Sequence, residues 1–252
     1  MTSRFNTTVG FPGRFGNHFI RNFYASFLAE SGDLAFTYGY FDDLRRLGIP
    51  LFTSGKKRYD KNVIITDENS MDYFGKPVDF NIDIWDTYIQ NHEFATYLYK
   101  YLRQQHVMES IMRANIFKER YNSNNDVYVH VRLDDAEPWT PGISYYENAI
   151  EATGATSGFI SSDAVNHPTV QKLAEKYGFK IIMNDIVETF MLASTCKYLV
   201  LSHGSFSWSI GSISFFSEKV FIPPHRYMTI VTKKSKWVGD IFRMPNWQTI
   251  EP

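Results

Sequence analysis

The sequence predicts an α/β protein with parallel sheets. From residue 126 onward, β-branched and aromatic runs alternate with helical segments of about ten residues, a pattern typical of βαβ units. The chain also starts with a strand-loop-helix unit, well ahead of a polar, turn-rich stretch at 121–126. We therefore expect two small domains, one over 1–121 and one over 122–252.

The second half contains five strand signals separated by helices. Strands are expected at 126–133, 157–161, 180–183, 198–202 and 219–223. One helix should begin at a capping box formed by Ser144 and Glu147 and end near 152. Further helices are expected at 168–177, closed by Gly178, from the capping residue Asp185 to 196, and at 207–216.

The first half is less regular. Strands are expected at 6–11, 34–38, 62–66 and 80–84, and a long helical stretch at 92–113 with a break near His106. Asn17 is placed to cap a helix that follows the first loop, because Phe19, Ile20, Phe23 and Phe27 then share one helix face.

The composition excludes several classes of protein. The 26 Lys and Arg residues are matched by 27 Asp and Glu residues, so a net charge of -1 leaves no positive surplus for a nucleic-acid backbone. Cys196 is the only cysteine, which excludes an intrachain disulfide and a cysteine-based zinc site. The sequence shows neither a signal-peptide pattern nor a run of about 18 apolar residues. We expect a soluble cytoplasmic protein without a transmembrane segment.

Polar and charged residues follow each predicted strand of the second half, where ligands of open parallel sheets bind. They are His130, Arg132, Asp134 and Asp135, then Ser161, Ser162 and Asp163, then Asn184 and Asp185, and finally the 202–207 segment SHGSFS. Helix caps and loop polarity explain about half of them. His130 alone is more typical of a structural residue, whereas Arg132 needs either Asp134, Asp135 or a ligand phosphate as its partner.

Two glycine loops are suited to an anion. The 202–207 segment combines Gly204 with serine hydroxyls and the start of a helix, and the loop at 10–16 adds Arg14 to its glycines. Neither loop is a Walker A or G-x-G-x-x-G motif, and tight turns are the alternative explanation. No H-E-x-x-H, Asp-x-Asp or G-x-S-x-G pattern occurs, so metalloenzymes and serine hydrolases are not favoured.

Five segments, taken in order, resemble one family of enzymes. They are GRFGNHF at 13–19, YIQNHEF at 88–94, HVRLDD at 130–135, SSD at 161–163 and ETFMLASTCKYLVLSHGSFSWSIG at 188–211. Together they resemble the α-1,2-fucosyltransferase family, which shows G-G-L-G-N-Q, H-x-R-R-x-D and a late S-S-F-S-W. The chain is also similar to glycosyltransferases encoded by large algal viruses.

The resemblance implies a GT-B-like pair of Rossmann-type domains facing a cleft. Because polar strand ends cluster more densely in the second half, we expect the donor on the C-terminal domain and the acceptor on the N-terminal one. The resemblance also implies that a sugar passes from a nucleotide-diphosphate donor to a glycan hydroxyl, with inversion and without a metal or other cofactor. Three positions depart from the family pattern: Leu133 replaces its second Arg, His18 its Gln and Gly204 its first Ser. The missing Arg leaves the identity of the donor sugar open between fucose and another sugar, such as rhamnose or xylose.

On this interpretation Arg132 and a helix amino end stabilise the departing diphosphate, and Asp135 is the first candidate base, ahead of Asp134 and Glu137. The expected donor-binding residues are His130, Arg132, Ser162, Asp163, His203, Gly204, Ser205, Phe206, Ser207, Gly13, Arg14, Gly16 and Asn17. The alternative is a non-catalytic sugar- or nucleotide-binding protein, in which aromatic rings stack on a glycan and Arg132 pairs with an aspartate.

Overall fold

The computed structural model of the protein describes residues 14–84, 87–134, 140–224, 241 and 244–252. In the first half the elements are α1 (Phe15–Gly32), α2 (Phe41–Arg46), β1 (Asn62–Ile64), α3 (Ser70–Tyr73), β2 (Asn81–Asp83), α4 (His92–Leu102) and α5 (Gln105–Ala114). β1 and β2 pair in parallel as a two-stranded sheet. The strand expected at 6–11 lies outside the described residues.

The second half is built from alternating strands and helices, as its sequence predicts. The elements are β3 (Val127–Val131), α6 (Ile143–Thr153), β4 (Gly158–Ser162), α7 (Pro168–Tyr177), β5 (Lys180–Ile181), α8 (Ile186–Ser194), β6 (Tyr198–Val200), α9 (Ser205–Ile213), β7 (Lys219–Ile222) and β8 (Trp247–Thr249). The six strands form one sheet in which every pair is parallel. The expectation of an α/β protein with parallel sheets is confirmed.

The strand order of the large sheet determines where a ligand can bind. The order is β5-β4-β3-β6-β7-β8, so that, counted along this half of the chain, it reads third, second, first, fourth, fifth, sixth. This is the order of the Rossmann fold, and it reverses between β3 and β6. In open parallel sheets, a ligand-binding crevice lies at the carboxyl ends of the two strands on either side of such a reversal.

Alternate residues of β3 serve the two faces of the sheet. Val127, Val129 and Val131 pack in a core with α6 and α7. Tyr128 belongs instead to a larger core that includes α1, α8 and α9. Since side chains alternate along a strand, His130 lies on the same face as Tyr128 and is directed toward α9. The larger core contains residues from both sides of position 121, and the division into two domains there stays a prediction.

Several element boundaries differ from the sequence prediction. α1 begins at Phe15 with Arg14 at its N-cap position, so the expected cap at Asn17 is wrong. Phe15 is buried and its ring centroid lies 5.1 Å from that of Phe190, which stabilises the earlier start. α6 also begins one residue before Ser144, after Gly142 at a φ of 83°, without a capping side chain.

Three further differences concern weak signals. The strand expected at 34–38 is a single bridge between Leu34 and Lys57. The long helical stretch is broken as expected, but at residues 103–104, slightly before His106. The sequence does not predict β8, because its three residues Trp247–Thr249 show no apolar alternation; in the structure they are largely exposed. Among the described residues, no helix is both long and apolar enough to cross a membrane.

Candidate functional site

The candidate site lies at the crevice between the carboxyl ends of β3 and β6. β3 ends at Val131, so that His130 and Arg132 come at its carboxyl end. β6 ends at Val200 and is followed by the 201–204 turn and by α9, which starts at Ser205. The structure thus brings together two segments that the sequence separates by about 70 residues.

His130 connects β3 to the first turn of α9. Its Nδ1 atom and the Ser207 hydroxyl share a hydrogen bond of 2.6 Å. Burial lowers the pKa of His130 to about 3; the carboxylate of Asp163 opposes this effect, whereas the positive charge of Arg132 adds to it. The imidazole is therefore neutral at pH 7, and its ring packs against that of Phe206 with centroids 4.9 Å apart. This geometry makes His130 a residue that positions α9.

Arg132 lies against the backbone of Gly204, the N-cap residue of α9. A Cβ atom added at Gly204 would overlap the Nη1 atom of Arg132, and the φ of Gly204 is 103°, which favours glycine. Among the side chains that the structure describes, none caps this end of α9. The positive end of the helix dipole and the guanidinium are therefore neighbours, and an anion is stabilised where both act.

The amino ends of α1 and α9 meet at the same place. A Cβ atom at Gly16 would overlap the backbone of Phe206, so the two helices approach as closely as a glycine allows. The Ser205 hydroxyl donates to Oδ1 of Asn17 at 2.5 Å. The described end of the first glycine loop, residues 14–16, and the loop at 202–207 thus lie together and bring two positive helix ends to one place.

Two carboxylates lie beside this unit and contact Arg14. Nη1 of Arg14 lies 2.8 Å from Oδ2 of Asp163, and Nη2 forms an ion pair with the carboxylate of Asp134. Asp163 also accepts a hydrogen bond of 2.9 Å from the backbone N–H of Leu133. Burial opposes its ionisation, but these hydrogen bonds and the charge of Arg14 keep the pKa of Asp163 below its usual value. In this structure Arg14 binds carboxylates of the second half.

The remaining predicted residues have more local roles. Ser162 accepts a hydrogen bond of 3.0 Å from the N–H of Ala164 and so stabilises the turn after β4. His203 is buried, with Nδ1 3.3 Å from the Ser202 hydroxyl. Gly13, Asp135 and Glu137 lie outside the described residues.

Sequence reasoning missed two residues of the site. Gln90 donates from Nε2 to Oδ1 of Asn17 at 2.8 Å, and Tyr146 donates to the Ser202 hydroxyl at 3.1 Å. Gln90 stands within the 88–94 segment that supports the family resemblance, which is a signal for it. Nothing in the sequence around Tyr146 distinguishes it from an ordinary helix residue packed against a sheet.

The site provides hydrogen-bonding groups of serine side chains and helix amino ends, together with the positive charge of Arg132. In the part of the chain that the structure describes, His, Cys, Asp and Glu side chains do not assemble into a group of three that could hold a metal ion. Comparison with family models, with curated proteins and with solved structures finds no significant match.

Proposed function

We propose that this protein is an inverting, metal-independent glycosyltransferase that moves a sugar from a nucleotide-diphosphate donor to a glycan hydroxyl. The proposal combines the resemblance of five sequence segments with the geometry of the crevice. One observation carries it: Arg132 lies against Gly204 at the amino end of α9, at the point where the strand order of the sheet reverses.

This arrangement suits the leaving group of the reaction. When the bond between the anomeric carbon and the phosphate oxygen breaks, negative charge accumulates on the nucleoside diphosphate. The guanidinium of Arg132 and the N–H groups of the first turn of α9 are fixed in place before the reaction and stabilise that charge. The neutral His130 holds this turn through Ser207 without adding charge.

The acceptor hydroxyl forms the new bond to the anomeric carbon and transfers its proton to a carboxylate. We propose Asp135 as this base, ahead of Asp134 and Glu137. Asp134 is the less suitable of the two aspartates, since its carboxylate is already engaged in the ion pair with Arg14. The donor sugar is fucose or another sugar, such as rhamnose or xylose.

A panel of nucleotide sugars tests the proposal. Purified protein is incubated with GDP-fucose, UDP-rhamnose and UDP-xylose, with and without glycan acceptors, and the released nucleoside diphosphate is measured. A transferase releases it from at least one donor, and Arg132→Ala abolishes the release. Arg113→Ala, on the exposed side of α5, is the matched control and leaves it unchanged. Binding without any release would instead identify a sugar- or nucleotide-binding protein.

A further inference from the structure

Gln90 has a buried hydrogen-bond acceptor without a partner in the part of the chain that the structure describes. The residue is only 8% exposed, and its Oε1 atom has no hydrogen-bond partner among the described residues. An unsatisfied buried carbonyl costs folding free energy, so a native structure that keeps one requires an explanation.

The amide of Gln90 is fixed at the candidate site by its other end. Its Nε2 donates to Oδ1 of Asn17 at 2.8 Å, and the same oxygen accepts from the Ser205 hydroxyl at 2.5 Å. This chain of hydrogen bonds leads from the first half of the protein to the first residue of α9. The unsatisfied Oε1 belongs to the same planar amide and therefore lies beside the meeting point of α1 and α9.

The backbone before Gln90 is strained and is held in that state. Ile89 has a φ of 53°, a left-handed conformation that is rare for a β-branched residue. The carboxylate of Asp67 accepts from the N–H of Ile89 at 2.7 Å and from that of Tyr88 at 3.1 Å. Strain that a structure maintains with dedicated contacts is found at ligand-binding sites, where it fixes a side chain in advance.

We propose that Oε1 of Gln90 accepts a hydrogen bond from a hydroxyl of the donor sugar and thereby determines which sugar is bound. The missing partner must be a donor, and a sugar hydroxyl is one. Gln90 comes from the first half, whereas Arg132 and α9, which we assign to the diphosphate, come from the second. The sugar attached to that diphosphate then faces Gln90. This inference rests on the proposed function for the identity of the ligand.

The test compares ligands with and without the sugar. Calorimetry measures the affinity of wild type and Gln90→Met for GDP, UDP, GDP-fucose, UDP-rhamnose and UDP-xylose, and for the free sugars. Gln90→Met keeps the volume but removes the acceptor, so we expect the affinity for the preferred nucleotide sugar to fall about tenfold. The affinity for the bare nucleotide should stay unchanged, as should that of the control Gln105→Met on the exposed side of α5.

A second variant covers the case in which Gln90→Met does not fold. Asp67→Ala releases the strained turn at Ile89 without removing any atom of Gln90. It should also weaken nucleotide-sugar binding while bare-nucleotide binding persists. If Gln90 merely clamps Asn17, both variants lower the melting temperature and leave the ratio of the two affinities unchanged, which overturns the inference.

The outcomes separate this inference from the proposed function. If both Gln90→Met and Asp67→Ala leave the turnover of a nucleotide sugar intact, the inference is overturned and the proposed function is kept. Binding of sugars that depends on Gln90, without any turnover, keeps the inference and overturns the function. If wild type binds none of these ligands, both fail.

Discussion

The Nδ1 atom of His130 and the hydroxyl of Ser207 lie 2.6 Å apart and join the end of β3 to the first turn of α9. The contact crosses the point where the strand order of the sheet reverses. It fixes α9 relative to Arg132 while the imidazole stays neutral, because burial lowers its pKa to about 3. The contact that joins β3 to α9 is thus uncharged, and positive charge near it comes from Arg132 and the amino end of α9.

This low pKa predicts how stability depends on pH. Below about pH 6.5 the unfolded chain protonates this histidine, whereas the folded protein does not until about pH 3. The free energy of unfolding should therefore decrease as the pH falls through this window, by up to about 1.4 kcal/mol per pH unit from this residue. Urea unfolding between pH 7 and pH 4 measures the slope. His130→Asn should make it shallower, and an unchanged slope would show that His130 is not buried in the neutral form. His106→Asn, on the exposed face of α5, is the control.

Asp163 should stabilise the folded protein in its charged form, whereas His130 does so in its neutral form. Its pKa is depressed, so its contribution is present above the unfolded pKa and is lost as the pH falls through the folded pKa. At pH 7, Asp163→Ala leaves the buried Leu133 N–H without this acceptor and should cost about 1 to 2 kcal/mol. Asp42→Ala, whose pair with Arg45 is exposed, should cost almost nothing in the same urea titration. Equal losses would contradict the role given to the Leu133 contact.

The two glycines at the helix junction should respond differently to alanine. Gly16→Ala forces α1 away from Phe206, and we expect a loss of about 1 to 3 kcal/mol although alanine normally favours a helix. Gly204→Ala displaces the movable end of Arg132 and strains a φ of 103°, so nucleotide binding should fall along with stability. Gly154 is the control position, since its φ is 69° and nothing lies within 4 Å of a Cβ atom added there. Gly154→Ala should share the backbone cost but leave binding intact, which calorimetry and thermal melting would check.

Turnover should survive a chelator. Arg132 and two helix amino ends supply positive charge to the diphosphate, so the proposed reaction needs no metal ion for this step. Donor turnover measured before and after treatment with EDTA should be equal. Activity that disappears with EDTA and returns with Mg²⁺ or Mn²⁺ would instead assign Asp135 and Glu137 to a metal site.

Local signals in the sequence predict the second half well. Pro168 and Gly178 mark the two ends of α7 as observed, and Asp185 caps α8 by accepting from the N–H of Glu188 at 2.8 Å. These features depend on residues close in sequence, where turn and capping chemistry is specific. They place His130 and Gly204 at the carboxyl edge of the sheet before any tertiary contact is known.

The contacts that build the site could not be predicted in this way. Arg14 meets Asp163 across 149 positions of sequence, and Ser205 meets Asn17 across 188. Polar pairs so far apart in the sequence leave no periodic pattern. For Arg132, the residue types alone allow several partners. The orphan oxygen of Gln90 is likewise a property of packing that no spacing of residue types reveals.

Binding of GDP and UDP to Arg132→Lys tests the central claim most directly. Lysine keeps the charge but loses the planar fork of arginine, so calorimetry should show the affinity of the preferred nucleotide falling about ten- to a hundredfold while the melting temperature barely changes. Arg113→Lys on α5 should behave as wild type. If instead Arg132→Lys and Arg132→Ala bind nucleotide as wild type does and melt at a markedly lower temperature, Arg132 is a structural residue and the crevice is not the donor site.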